Sequence, residues 1–542
     1  MTGVGMQVAL LAERSKSLRQ AFVAAVAAGV LRQLWRRWFR RPRGMPGTVH
    51  QHKLLGDLPA LIQAISRREQ CDLLCRWHEE LGPTYRLSLP LQPWMVVTSD
   101  PANLEHILKT RFENYPKGPA MRGRMADLMG QGIFNADGEL WHRQRKVASR
   151  MFTQTLFREH IWLVVQRNAK FLLRILESSD PTTPLDMFDL MNRFTLDTIG
   201  EVGFGKCLGA LEDPSSPFLR SFDAAQRIVF RRFFTPMWRL VRFMGVGLEK
   251  ETKEHLKRLD SYSRTVVREL QAGLSRDAAA KSSTGVAWAD LEASKSFLGL
   301  FMEDAEHRGE RLKEEFCRDL VLNFLIAGRD TTAQAISWTL YCLCTHPSVQ
   351  VQVRAEVEEV CGIRGPAYDD VHRLPYLHAV LSEALRLYPS VPLDVKNVAT
   401  DDVLPDGSFL PRDTMLVYDI YSMGRDTRIW GEDAKLFRPE RWLEEDAPSN
   451  YHYPVFNAGP RECLGKRLAM VEMKACLATL LPHFSFELAI EPNAVLQDAQ
   501  LTIGLARGLP CFVTRISEKL DSQSSAASTQ APSEAALHEE DI

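Results

Sequence analysis

Ten consecutive residues constrain this chain more than any others: Phe456-Asn457-Ala458-Gly459-Pro460-Arg461-Glu462-Cys463-Leu464-Gly465. They place one cysteine on a tight, glycine-flanked loop immediately before a helix-like run from Lys466 to Leu481. At a helix N-terminus the free backbone N–H groups point outward and the dipole favours negative charge, so Cys463 is expected to be poised as a thiolate. Gly459 permits a turn that a β-carbon forbids, and Gly465 lets the backbone approach a flat ligand closely. Arg461 supplies a fixed cation near the sulfur. A small buried structural cysteine also suits the residue type, but it does not account for Phe456, Gly459, Arg461 and Gly465 falling together.

A thiolate held in this way suits axial ligation of haem iron, pushing in electron density that favours O–O cleavage. The decapeptide resembles the haem-binding signature of the cytochrome P450 superfamily. The resemblance extends over about residues 48–515. It implies a mainly α fold with small β-sheets (α+β): one helix-rich catalytic domain around a buried haem b, with Cys463 as the axial metal ligand.

Composition agrees with an ordinary globular core, at 45% hydrophobic and 25% charged residues. A formal net charge of −1 gives no electrostatic case for nucleic-acid binding. Ten cysteines in 542 residues do not make a disulfide scaffold. Neither Cys71 with Cys75 nor Cys342 with Cys344 has zinc-site spacing beside a second pair. The chain divides into an N-terminal basic and apolar segment (1–47), the catalytic domain (48–516) and a tail (517–542) rich in Ser, Ala and Glu. That tail lacks the apolar content to order itself.

The first segment holds nine Lys or Arg against one acid, Glu13, up to Arg43. Its longest apolar run, Ala21 to Leu31, covers roughly 17 Å as a helix, short of the about 30 Å of a bilayer core. A basic, aromatic cluster from Arg32 to Arg41 suits anionic headgroups, and Pro42 to Gly47 breaks the helix. Three readings fit: a short or interfacial anchor on the cytosolic face of the endoplasmic reticulum membrane, a transit peptide to mitochondrion or chloroplast, or an amphipathic helix packed on its own domain.

Short strands are expected near Thr84–Leu89 and Trp94–Thr98, and a polar surface loop from Leu274 to Val286. Arg311 to His346 reads as one long helix ended by Pro347. At its middle lies Ala327-Gly328-Arg329-Asp330-Thr331-Thr332. Glycine and consecutive threonines are locally unfavourable there, because the hydroxyls compete for backbone carbonyls; a kink opening a groove would explain them. The hexapeptide resembles the family's oxygen-activation segment. That implies Thr331 as the catalytic alcohol that hydrogen-bonds activated oxygen, and Asp330 as the acid that relays protons to it.

Glu383 and Arg386, three apart, share a helix face. With Phe437-Arg438-Pro439-Glu440-Arg441-Trp442 following, the resemblance implies that Arg441 joins them in a buried structural network behind the cysteine loop. It also implies haem contacts from Trp141 and Arg145, the family's Trp-x-x-x-Arg pair, and from Arg461 and Lys396, with arginine in many members at the last position. Arg145, Lys146, Arg150, Lys466, Arg467 and Lys474 would form a proximal dock for an acidic reductase. No flavin or iron–sulfur motif occurs in the chain, so electrons are expected from another protein: NADPH–cytochrome P450 reductase, or a ferredoxin in an organelle.

Three stretches are most similar to eukaryotic long-chain fatty-acid omega-hydroxylases: residues 112–118, 132–138 and 387–393. Omega hydroxylation requires an apolar chain held end-on, because a terminal C–H is harder to cleave than its neighbours. Ala327, Val391, Leu393 and Leu505 fall where the family lines its channel, and Met121 in an entrance loop; Arg122 or Lys117 could meet a substrate carboxylate. A second reading in the same fold is a hydroxylase of a sterol, alkane or xenobiotic, which product analysis with defined lipids would separate from the first. An isomerase or dehydratase acting on hydroperoxides, or a non-enzymatic haem sensor, would have no use for Asp330 and Thr331.

Overall fold

The computed structural model describes residues 40–516 apart from 49–51, 53, 91, 215–216, 236, 282–295, 363 and 445. The apolar run Ala21–Leu31, most of the basic cluster behind it, and the tail from residue 517 lie outside the described residues. The architecture is mainly helical with small separate sheets, as expected. The helices that frame the site are α1 (Leu58–Arg67), α2 (Gln70–Leu81), α3 (Gly118–Met129), α4 (Gly138–Ser149), α5 (Trp162–Glu177), α6 (Met187–Phe204), α7 (Pro217–Arg231), α8 (Trp238–Met244), α9 (Leu248–Lys281), α10 (Glu314–Leu325), α11 (Thr331–Thr345), α12 (Pro375–Leu387) and α13 (Lys466–Leu480).

The largest sheet comprises β1 (Thr84–Leu87), β2 (Met95–Thr98), β3 (Leu393–Asn397) and β4 (Met415–Asp419), in the order β1-β2-β4-β3. Only the β2–β4 pairing is parallel. Both early strands fall where they were expected. The break at residues 42–47 is docked onto this region: Arg43 and Phe409 exchange backbone hydrogen bonds at 3.2 and 2.9 Å, and Met45 is buried.

The long central helix starts at Glu314, three residues later than expected, because Lys313 is extended. Glu314 and Glu315 then occupy the first turn, where the dipole favours acids. At the other end His346 leaves helical geometry ahead of Pro347, whose ring disfavours a helical residue before it. Between α10 and α11 the backbone widens into a π turn, Ile326–Asp330. Such turns recur at functional sites, and this one coincides with the hexapeptide whose propensities conflict. Gly328 lies inside it, and a β-carbon there would overlap the Ile199 side chain of α6.

The expected loop from Leu274 is instead helical up to Lys281. Asp277-Ala278-Ala279-Ala280-Lys281 combines strong helix formers, and their propensity outweighs the polar character of the stretch. Residues 282–286 lie outside the described residues.

Candidate active site

The cysteine loop is built from two short 3-10 turns, Pro454–Phe456 and Gly459–Arg461, leading into α13. Gly459 adopts φ +64°, and a β-carbon there would overlap the Leu108 carbonyl oxygen. The turn closes through Cys463 N–H donating to Phe456 O at 2.8 Å and Glu462 N–H to Gly459 O at 3.0 Å. Gly465 caps α13, and a β-carbon on it would stand 3.8 Å from Cys463 Sγ, inside the space beside the sulfur. A flat ligand needs that space free.

Cys463 is reachable by solvent, yet protein surrounds its sulfur. This desolvation pushes the thiol above its ordinary range. The N–H groups of Gly465 and Lys466 and the charge of Arg145 act in the opposite direction without reversing the shift. The helix-terminal donors are present as expected, and burial acts against them. A coordinated metal ion deprotonates a thiol outright.

Two arginines hold the loop in place. Arg145 Nη1 donates to Glu462 O at 2.7 Å, and Arg461 Nη2 donates to Ala136 O at 2.9 Å and Asp137 Oδ1 at 3.1 Å. Their guanidinium groups stand 5.9 and 4.4 Å from the ring of the buried Trp141, which joins α4 to the cysteine loop. Asp137 also accepts from the backbone N–H groups of Lys117 and Gly118. Nothing in the sequence patterns singled out Asp137 for these contacts.

Lys396 on β3 is 1% exposed, and its ammonium has no hydrogen-bond partner among the described residues. Asp394 Oδ2 lies 3.9 Å away. Desolvation, then the nearby Lys117 charge, lowers the Lys396 pKa to about 7. An orphaned buried cation fits a haem carboxylate, as the open space before Gly465 fits the macrocycle face. Lys117 behaves otherwise than expected for a carboxylate receptor at the entrance: it is paired with Asp394 Oδ1 at 2.5 Å and nearly buried. Met121 lies on helix α3, where an entrance loop was expected, with its side chain against the apolar core. Arg122, exposed on α3, lines a cavity of about 620 Å³ with Gly123, Ala126, Asp260, Arg318 and Asp319.

In the π turn, Thr331 Oγ1 donates to Ala327 O at 2.6 Å, the return to the i−4 carbonyl that widens a helix. Asp330 is buried and accepts from Gln226 Nε2 and Arg329 Nη1, each at 2.8 Å. Burial raises its pKa to about 6, against the pull of Arg329. Arg329 Nη1 also reaches Asp223 on α7 at 2.6 Å, and the Asp223 side chain is 42% exposed. The chain Asp330–Arg329–Asp223 therefore links the π turn to the surface. Sequence reasoning quoted Arg329 but gave it no role, and it passed over Asp223 and Gln226, which only the fold brings close.

Ser390 Oγ donates to Thr331 O at 2.7 Å, and Ile503 N–H to Ser390 O at 2.9 Å. These bonds tie the π turn to the segment leading to Val391 and to the strand Ile503–Leu505. Val391 and Leu393 are part-exposed, whereas Leu505 is buried within the core.

Behind the loop, Glu383 is fully buried and accepts from Arg386 Nη2 at 2.7 Å, Arg386 Nε at 2.8 Å, Arg441 Nε at 3.0 Å, Arg438 N–H at 2.8 Å and Trp442 Nε1 at 2.9 Å. The expected three-residue network is present, widened by Trp442 and a backbone donor. Of the cations expected in a dock, Lys146, Arg150, Lys466 and Arg467 are exposed. Lys474 is not: it is buried and donates to Val371 O and Leu374 O, both at 3.0 Å.

The family model for Cytochrome P450 matches residues 46–507. The chain belongs to the cytochrome P450 family. Among curated relatives, this P450 is 35% identical over 516 residues to cytochrome P450 704B1 of Arabidopsis thaliana, covering 88% of this chain and 96% of that protein. It is 36% identical over 447 residues to cytochrome P450 86B1 of the same plant, covering 77% of each. Cytochrome P450 94A1 of Vicia sativa is 35% identical over 462 residues, covering 81% of this chain and 86% of that protein. This P450 is a monooxygenase that uses haem with a cysteine thiolate as axial ligand, O₂, a lipophilic substrate and electrons from a redox partner.

Proposed function

We propose that this P450 hydroxylates the terminal carbon of long-chain fatty acids, with Cys463 as the axial ligand. The supporting observation is the tie of Thr331 to Ser390 and of Ser390 to Ile503, which brings the segment leading to Val391 up to the π turn that holds Ala327. Apolar side chains beside the catalytic alcohol would guide a hydrocarbon chain end-on, the orientation that terminal attack requires. The sequence resemblance of residues 112–118, 132–138 and 387–393 to omega-hydroxylases narrows the substrate to fatty acids. When bound, haem supplies oxygen-activating chemistry through its thiolate-ligated iron.

The chain's own residues position and protonate. Thr331 donates to Ala327 O, which leaves the lone pairs of its hydroxyl free to accept from water in the groove. Asp330 has a pKa of about 6, which suits a proton donor near neutrality, and Arg329, which stays charged, holds it in place beside Asp223 at the surface. Trp141, Arg145, Arg461 and Lys396 would hold haem, with Phe456 and Gly465 shaping the cysteine loop. With Lys117 paired to Asp394, Arg122 is the remaining candidate cation for a substrate carboxylate.

The setting we propose is the cytosolic face of the endoplasmic reticulum membrane, with NADPH–cytochrome P450 reductase as donor. Among the described residues no helix is long and apolar enough to cross a membrane. Leu54, Leu55 and Ile62 near α1, and Phe243 and Met244 on α8, are nevertheless exposed. Phe234, just before α8, packs against the cluster containing Leu58 and Leu61 of α1, so these apolar groups share one end of the molecule. Lys146, Arg150, Lys466 and Arg467 would receive the reductase.

Incubation with reductase, NADPH and defined lipids, with mass spectrometry of the products, tests the reading. Terminal alcohols of long-chain fatty acids are expected. Exclusive oxidation of sterols, alkanes or internal carbons would overturn it.

A further inference from the structure

Asp394 on β3, near the cysteine loop, accepts hydrogen bonds through both of its oxygens. Its Oδ1 accepts from Lys117 Nζ at 2.5 Å and Val395 N–H at 2.7 Å; its Oδ2 accepts from Tyr418 OH at 2.5 Å and Asn457 Nδ2 at 3.4 Å. Those donors come from the segment before α3, from β3, from β4 and from the cysteine loop itself. With both oxygens engaged, Lys396, two residues along the same strand, is left 3.9 Å from Oδ2 without a hydrogen bond. A buried ammonium without a partner is costly, and it persists in a fold when a ligand completes it.

We propose that Asp394 is a positioning residue for haem: by saturating itself with Lys117, Tyr418 and Asn457, it keeps the Lys396 ammonium free to close on a haem carboxylate. The inference rests on the haem assignment given above. Asp394 does two things at once. Through Asn457 it ties β3 to the loop that carries Cys463. Through its charge it offsets Lys117, which would otherwise repel Lys396 within the same buried space.

The groups that face Lys396 are Lys117, Asp394, Asp137, Arg461 and the Tyr418 hydroxyl. In the absence of haem, Lys396 titrates near 7 because it is desolvated and stands beside Lys117. A carboxylate arriving beside it restores the charge. Haem binding therefore takes up a proton above about pH 7, and haem is held less tightly as the pH rises.

Two variants of the holoenzyme test this, with haem transfer to apomyoglobin and the haem midpoint potential as readouts. Wild-type release should accelerate between about pH 7 and about pH 9, and Lys396→Arg, charged throughout this range, should flatten that slope. Asp394→Asn should shift the potential upward by removing an anion beside the haem carboxylates. It should also speed release about tenfold at pH 8, one pKa unit's worth of coupling. A purely structural Asp394 would leave the potential where it is. An unchanged potential and release rate in Asp394→Asn overturns the proposal, as does an unchanged pH slope in Lys396→Arg. If wild-type protein lacks the thiolate-type reduced carbon monoxide spectrum, the haem assignment fails, and this inference with it; a normal spectrum confines any failure to Asp394 and Lys396.

Discussion

Substituting Glu383 by Gln is the sharpest test of how the core behind the cysteine loop is held. Both oxygens of Glu383 face donors only: Arg386 Nη2 and Nε, Arg441 Nε, Trp442 Nε1 and the Arg438 N–H. A glutamine of the same shape must turn an NH₂ group toward at least one of them, and it removes the anion that two buried guanidinium groups share. Arg386 is fully buried and Arg441 nearly so, so neither charge can escape to water. Arg386 keeps the Gly424, Ala434 and Leu436 carbonyls, and Arg441 keeps Asp433, which limits the damage without cancelling it. Breaking a buried pair in this way costs about 3–5 kcal/mol, a large part of a typical stability of about 5–15 kcal/mol. The loss reaches the cysteine loop through Tyr453, whose hydroxyl donates to Ser382 O at 2.8 Å and whose ring lies 4.7 Å from that of Trp442. Denaturant unfolding, followed together with haem content per chain, is the assay. The expected result is a lower unfolding midpoint and substoichiometric haem, with unchanged product distribution in the fraction that does load. A midpoint and haem content equal to wild type would refute the reasoning.

Other predictions address chemistry and docking. Thr331→Ala should retain haem but divert NADPH electrons into peroxide; undiminished coupled product would remove Thr331 from the mechanism. Asp330→Asn should slow coupled turnover and erase the component of its pH profile near pH 6. The folded pKa of Asp330, about 6, lies above the ordinary aspartate value of about 3.9, so the fold disfavours its charge. It therefore weakens stability as pH rises through the range between those values, and Asp330→Asn should abolish that slope in unfolding measurements. Lys146→Glu should raise the KM for reductase several-fold, with the difference shrinking at high salt. Lys474→Met should leave that KM unchanged and lower stability, because it strands the carbonyls of Val371 and Leu374.

Local sequence carried the parts of this protein whose chemistry is local. The glycine-bounded cysteine loop, the conflict of propensities at Gly328–Thr332 and the Glu383–Arg386 spacing each marked a structural irregularity or a buried charge pair that the fold contains. The positions of β1 and β2 were also legible. What could not be read were groups brought together from distant segments. Asp394 gains its role only because Lys117, Tyr418 and Asn457 arrive from three other parts of the chain, and Asp330 reaches the surface only through Asp223 on α7. Exposure was equally illegible: Lys474 sits among cations that do face solvent, yet it points into the core.

The central claim is that the sulfur of Cys463 ligates haem iron. The reduced carbon monoxide difference spectrum of purified wild-type and Cys463→Ser proteins tests it most directly. The account predicts the red-shifted thiolate band in wild type and its disappearance in the variant; a variant that keeps the band would contradict it.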